Sequence, residues 1–140
     1  MSTPDDAVRT VATTPVVWAR PEDSLRVMAA RMRDAHGGAL VVRRRDGDIG
    51  IVTERDVLLA VAEGGHPDAE WVTDVMSRVV LTASPDDPVL TVAELMADAE
   101  VRHVVLVEPH GSATGVVSVR DVLRPLLEEA YASRRATGAA

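Results

Sequence analysis

The 140-residue sequence has no cysteine, which excludes disulfides, thiolate metal sites and a cysteine nucleophile. It has no phenylalanine either, and aromatics make up only 2% of the chain, so the 46% hydrophobic share rests on Val, Leu, Ala and Met. Such a core suits β-branched strands layered against Ala/Leu/Met helices, an α/β arrangement. Lysine, asparagine and glutamine are also missing. That absence reads as compositional bias and carries no function. No apolar run reaches the ~18 residues that a membrane helix needs, and no charged-then-apolar leader opens the sequence, so the expected location is cytoplasmic, with no membrane partner. Positive charge is in short supply as well. The net charge of −7 argues against a general nucleic-acid binder, although a local Arg-lined pocket can still hold an anion.

What is present is a motif used twice. Gly50-Ile51-Val52-Thr53-Glu54-Arg55-Asp56-Val57-Leu58 returns as Gly115-Val116-Val117-Ser118-Val119-Arg120-Asp121-Val122-Leu123. The β-branched run predicts a buried strand. The hydroxyl residue followed three positions later by an acid predicts a helix start of the capping-box kind. Each copy therefore gathers free backbone N–H groups, a hydroxyl, a guanidinium and a carboxylate at one helix N-terminus. The first three suit a phosphate, and the carboxylate can accept hydrogen bonds from sugar hydroxyls. The same residues also read as plain helix caps. Recurrence of Arg and Asp in both copies weighs toward a ligand.

The repeat extends beyond the motif. Pro21, Asp23, Ala29 and Met32 map onto Pro85, Asp87, Ala93 and Met96 at one constant offset. The offset grows by one residue before the motif, in the segment Val107 to Thr114, which places an insertion in a turn. Each half predicts β-α-β-β-α. A first strand (Val16 to Trp18; Val80 to Thr82) leads to a helix capped by Asp23 or Asp87, with Pro88 at the first helical position of the second copy. The apolar faces are Leu25, Met28, Ala29 and Met32, and Val89, Val92, Ala93 and Met96, which points to core packing. The predicted organisation is a disordered N-terminus over 1–7, a first repeat over 8–65 ending at Gly64-Gly65, and a linker over 66–70. A second repeat over 71–130, with a bend or a local break at Pro125, and a fraying tail over 131–140 complete it. Two such halves packed sheet to sheet would share a core, with the motif ends lining clefts about a pseudo-twofold.

With G-h-h-[TS]-x-x-D twice at this spacing, and Val75-Met76-Ser77 as an opening matched by Val11-Ala12-Thr13, the chain resembles a tandem pair of cystathionine-β-synthase (CBS) domains, the Bateman module. The resemblance covers about Val8 to Ala130. It implies a regulatory module that binds adenosine derivatives (AMP, ADP, ATP, sometimes S-adenosylmethionine) between its halves, needs no other cofactor and assembles as a dimer. By the same resemblance Asp56 and Asp121 hold ribose, and Thr53, Arg55, Ser118, Arg120 and Arg102 face phosphate. Pro15-Val16 and Val79-Val80 form the adenine wall. Gly38 stands where the second half has Arg102, so the two clefts are expected to differ. The sequence departs from the family at Val41 and Val105, where proline is frequent, and at Trp18, which could stack on a base or block a cleft.

Little else competes. The histidines His36, His66, His103 and His110 show no ligand spacing, so no metal site is expected. Arg43-Arg44-Arg45 reads as a solvated strand edge. No nucleophile, base and orienting group occur together, so no catalysis is expected. The functional expectation is a stand-alone homodimeric nucleotide sensor acting on a regulated protein. The alternative is a structural or stress-related dimerisation module that binds no nucleotide.

Overall fold

The computed structural model describes residues 3–35 and 37–138; His36 and the chain ends beyond those limits lie outside the described residues. The expected β-α-β-β-α order occurs twice. The first pass has β1 (Trp18–Ala19), α1 (Leu25–Ala35), β2 (Ala39–Arg43), β3 (Ile49–Thr53) and α2 (Glu54–Ala62), followed by the short α3 (Val72–Val75). The second has β4 (Thr82–Ala83), α4 (Val89–Ala99), β5 (His103–Val107), β6 (Ala113–Ser118) and α5 (Val119–Ala136). Each forms a three-stranded sheet, β1-β2-β3 or β4-β5-β6, in which the first pair is parallel and the second antiparallel. No described helix is long and apolar enough to cross a membrane.

The compact units do not follow the repeat. One comprises residues 16–80; the other joins 81–140 to the segment ending at Pro15. In the 16–80 unit, Leu25, Met28 and Met32 of α1 pack with Leu40, Val42, Val52, Ala60 and Val72. In the other, Val89, Val92 and Met96 of α4 pack with Val104, Leu106, Val117, Val122 and Val8. Thus Val8 and Val72, each fully buried, sit in the core of the unit built mostly from the other repeat's elements.

The backbone explains this exchange. The first N–H groups of any helix lack partners within it. At α1, Leu25 and Arg26 donate to the carbonyls of Glu70 and Pro67, both at 2.9 Å; at α4, Val89 and Leu90 donate to Asp6 (2.9 Å) and Pro4 (3.0 Å). Residues 3–7, read from composition as a disordered terminus, are therefore fixed by α4. The 66–70 linker is fixed by α1, and Arg26 and Asp68 add a two-pronged ion pair (2.6 and 2.9 Å) that holds the Asp68 carboxyl below its ordinary pKa. Farther along, Ser77 exchanges both backbone hydrogen bonds with Ile51 of β3 (2.8 and 3.0 Å), as Thr13 does with Val116 of β6 (2.9 and 3.1 Å). These lead-in strands explain the motif glycines. A Cβ on Gly50 would lie 2.9 Å from Met76 Sδ, and one on Gly115 would lie 3.0 Å from Thr14 Cγ2 and 3.2 Å from the Thr13 carbonyl oxygen.

Further expectations are corrected. Asp23 and Asp87 do not cap α1 and α4: the first two N–H groups of each helix have carbonyl partners, and Val27 N of α1 donates to Ser24 Oγ at 3.3 Å. The two aspartate carboxylates turn back to accept from Arg20 N (2.7 Å) and Ser84 N (3.0 Å), and Pro88 is the N-cap residue of α4 instead of its first helical one. The one-residue insertion is not in the turn. Arg44 to Asp48 and Glu108 to Ser112 are turns of equal length, and the extra residue is Thr114, skipped by the ladder between the Leu106–Gly115 and Val107–Ala113 pairs as a β-bulge. Helix α5 runs through Pro125 with no local break and on to Ala136, so the tail expected to fray is helical for most of its described length.

Candidate ligand site at the motif helices

Both motifs form the predicted strand-to-helix junction. Thr53 and Ser118 are extended N-cap residues, at φ −116° and −99°, and each heads a complete capping box. Thr53 N donates to Asp56 Oδ2 at 2.8 Å, Thr53 Oγ1 to the same oxygen at 3.1 Å, and Asp56 N to Thr53 Oγ1 at 3.3 Å. In the second copy, Ser118 N donates to Asp121 Oδ2 at 2.8 Å and Asp121 N to Ser118 Oγ at 3.2 Å. Each carboxylate commits Oδ2 to the cap, and no described hydrogen bond uses Oδ1. Both acids are partly buried, and the adjoining Arg55 and Arg120 are exposed.

Arg102 falls beside the second junction. Its carbonyl accepts from Val119 N at 2.9 Å, the first helical N–H of α5, just as the Gly38 carbonyl accepts from Glu54 N at 2.9 Å at the first. Ser118, Arg120, Asp121 and Arg102 therefore surround one helix start, while its counterpart has Thr53, Arg55 and Asp56 with only a glycine in the fourth place. Among the described residues, none of these three arginines takes part in an ion pair. Of the wall residues, Val16 is buried, Val80 partly buried, and Pro15 and Val79 exposed. Pro15 ends the N-terminal segment of one unit, Val16 opens the other, and Val79 and Val80 end the latter. The Val41 and Val105 N–H groups donate to the Val17 and Leu81 carbonyls, both at 3.0 Å; these are bonds that a proline could not make.

Sequence reasoning missed the surroundings of Asp56. It lines a cavity of about 330 Å³ with Glu63, Glu70 and Asp74. Four carboxylates line this cavity, which runs along α2 from Asp56 near its start to the C-cap Glu63, whereas the second junction has Arg120 and Arg102 beside its acid. The signal was available as α-helical spacing, since Asp56 and Glu63 lie two turns apart on one face of α2. Trp18 is also engaged: the Arg43 guanidinium lies over its ring, 4.2 Å from the centroid. Among the described residues, no group of three or more His, Cys, Asp or Glu is placed to hold a metal ion.

The sequence model for the CBS domain matches residues 8–63 and 72–128, one copy for each repeat. The chain belongs to the CBS domain family. An uncharacterized protein of Methanopyrus kandleri is 32% identical over 120 residues, and the match covers 84% of this chain and 61% of that protein. A CBS domain protein of Pyrobaculum aerophilum, solved in complex with AMP, is 30% identical, with a TM-score of 0.77 and coverage of 89% of this chain and 98% of that one. The CBS domain pair of protein MJ0100, solved with 5′-methylthioadenosine and S-adenosyl-L-methionine, is 25% identical, with a TM-score of 0.74 and coverage of 84% and 97%. A hexameric CBS-CP12 protein from bloom-forming cyanobacteria is 26% identical, with a TM-score of 0.75 and coverage of 83% and 69%. The two matched copies coincide with the two repeats, and each contains one of the capping boxes.

Proposed function

We propose that this CBS domain pair is a regulatory, non-catalytic cytoplasmic module. It binds adenosine derivatives at the starts of α2 and α5 and signals occupancy to a regulated protein by changing shape. The observation that carries the reading is the twofold recurrence of a capping-box aspartate with one oxygen outside the cap, next to an unpaired arginine. Adenosine ligands in the Pyrobaculum and MJ0100 neighbours support it. Ribose hydroxyls donate to Oδ1 of Asp56 or Asp121. Phosphate is met by the helix N–H groups, Thr53 or Ser118, and Arg55 or Arg120, with Arg102 added at the second site. The test is a thermal-shift screen against adenosine, AMP, ATP and S-adenosylmethionine. An effective ligand at ~100 times its Kd raises stability by roughly 2.7 kcal/mol. No shift with any of the four at millimolar concentration leaves the dimerisation module as the better reading.

The same reading includes self-association. Leu123, Leu127 and Tyr131 recur every four residues along α5 and are 45%, 48% and 52% exposed, an apolar stripe suited to an isologous contact. Sedimentation at micromolar concentration is expected to show a dimer, and Leu127→Glu is expected to return it to the 14.9 kDa protomer. A wild type that sediments only as the protomer removes the homodimer.

A further inference from the structure

A second cavity, of about 270 Å³, lies wholly within the 16–80 unit and is lined by Arg44, Arg45 and Arg78, with Asp46 and Thr73 among the other contributors. Within that unit it lies at the opposite end of the sheet from the start of α2. Arg44 and Arg45 follow the Arg43–Ile49 pair at the turn end of β2 and β3, whereas Asp56 follows the Ala39–Thr53 pair at the other end. Four residue steps separate the two pairs, roughly 13 Å of strand. The charge there is unusual for this chain. Three arginines line one concavity in a protein of net charge −7. Asp46 pairs with Arg44, which leaves Arg45 and Arg78 with no ion-pair partner among the described residues. Guanidinium groups remain charged at any physiological pH, so three arginines around one cavity favour an anion there.

The backbone carrying these side chains is fixed. Arg44 N donates to the Asp48 carbonyl at 3.0 Å, and Gly47 N donates to the Arg44 carbonyl at 3.2 Å. Arg78 follows the Ser77–Ile51 bridge, and Ser77 Oγ donates to the Val79 carbonyl at 3.1 Å, bracketing Arg78. Thr73 Oγ1 spends its proton on the Pro21 carbonyl at 3.0 Å. Forked, planar donors on a set backbone match the oxygens of a phosphate.

We propose that this cavity is an anion site for a small phosphate-bearing ligand, distinct from the motif-helix site of its own unit. Inorganic pyrophosphate is the probe, followed by calorimetry and by backbone amide shifts of the full chain. Shifts are expected at residues 44–48 and 73–78. The Arg45→Ala/Arg78→Ala double variant is expected to weaken pyrophosphate binding by about ten- to a hundredfold, the loss of charge-assisted contacts. Both side chains are exposed, so the variant is expected to keep the wild-type melting transition, and its AMP affinity is expected to be unchanged. That invariance separates this site from the motif-helix reading: either can fail alone. Shifts confined to 118–121, no heat at millimolar pyrophosphate, or a double variant that binds like wild type would each overturn the proposal.

Discussion

Of two fragments of equal length, 16–80 is expected to show helical circular dichroism and a cooperative melt, and 1–65 is expected to show neither. The two contain the same β1, α1, β2, β3 and α2. They differ in which lead-in segment travels with them. Fragment 16–80 keeps the carbonyls of Pro67 and Glu70 over α1, the Ser77–Ile51 bridge, and Val72 in the core. Fragment 1–65 loses all of these and retains instead Thr3 to Thr13, whose partners are Pro85, Asp87, Val89, Leu90 and Val116. Burying a valine of this kind contributes about 1.5–3 kcal/mol, and each backbone hydrogen bond contributes about 0.5–1.5 kcal/mol. A 65-residue piece is marginal to begin with, so losses of this size decide whether it folds. Equal folding of the two fragments would show that the exchanged segments contribute little.

Asp56→Ala and Asp121→Ala are each expected to abolish adenosine-derivative binding at their own repeat and leave the other intact. Both also lose a capping box, so each variant is expected to be less stable by about 0.5–2 kcal/mol, the usual range for a helix cap. The stability loss alone is what a purely structural aspartate predicts. Calorimetric titration separates the two roles: a half-stoichiometric endpoint in each variant supports a ribose ligand, and wild-type binding in both removes it. The charges around the acids give the sites different preferences. Glu63, Glu70 and Asp74 share the cavity of Asp56, while Arg102 and Arg120 flank Asp121. Phosphorylated ligands are therefore expected to favour the second repeat. Arg102→Ala is expected to weaken AMP and ATP there more than adenosine, by roughly the 1.5–3 kcal/mol of a charge-assisted hydrogen bond.

Local chemistry was the legible part of this fold. The hydroxyl and acid three residues apart specified the capping boxes, because that pattern satisfies its own hydrogen bonds without help from distant residues. The apolar faces of α1 and α4 were legible for a similar reason, although Ala29 proved exposed and the buried stripe narrower. Asp23 and Asp87 were misread because an aspartate before a helix can cap it or close the preceding turn, and carbonyls of distant residues decided which. The same non-local bonds made residues 3–7 ordered despite their polar composition. Thr114 was misplaced because a bulge and a longer turn shift a sequence offset equally. The acidic cavity at Asp56 required Glu70 and Asp74, which no spacing rule connects to α2.

The stack of Arg43 on Trp18 gives the protein a spectroscopic address. The sequence has two tryptophans and one tyrosine, so its near-ultraviolet signal is essentially that of two indoles. Trp71, 45% exposed, stands at the start of α3, while Trp18 sits under a cation in β1, two residues from Val16. A full positive charge held above an indole face perturbs its excited state, so the emission of Trp18 differs in colour from that of a solvated indole and changes whenever β1 shifts against β2. On the proposed reading, a ligand that moves β1 at the first repeat is expected to change the Trp18 emission without a label, and an emission unchanged by a bound ligand would show that β1 stays fixed.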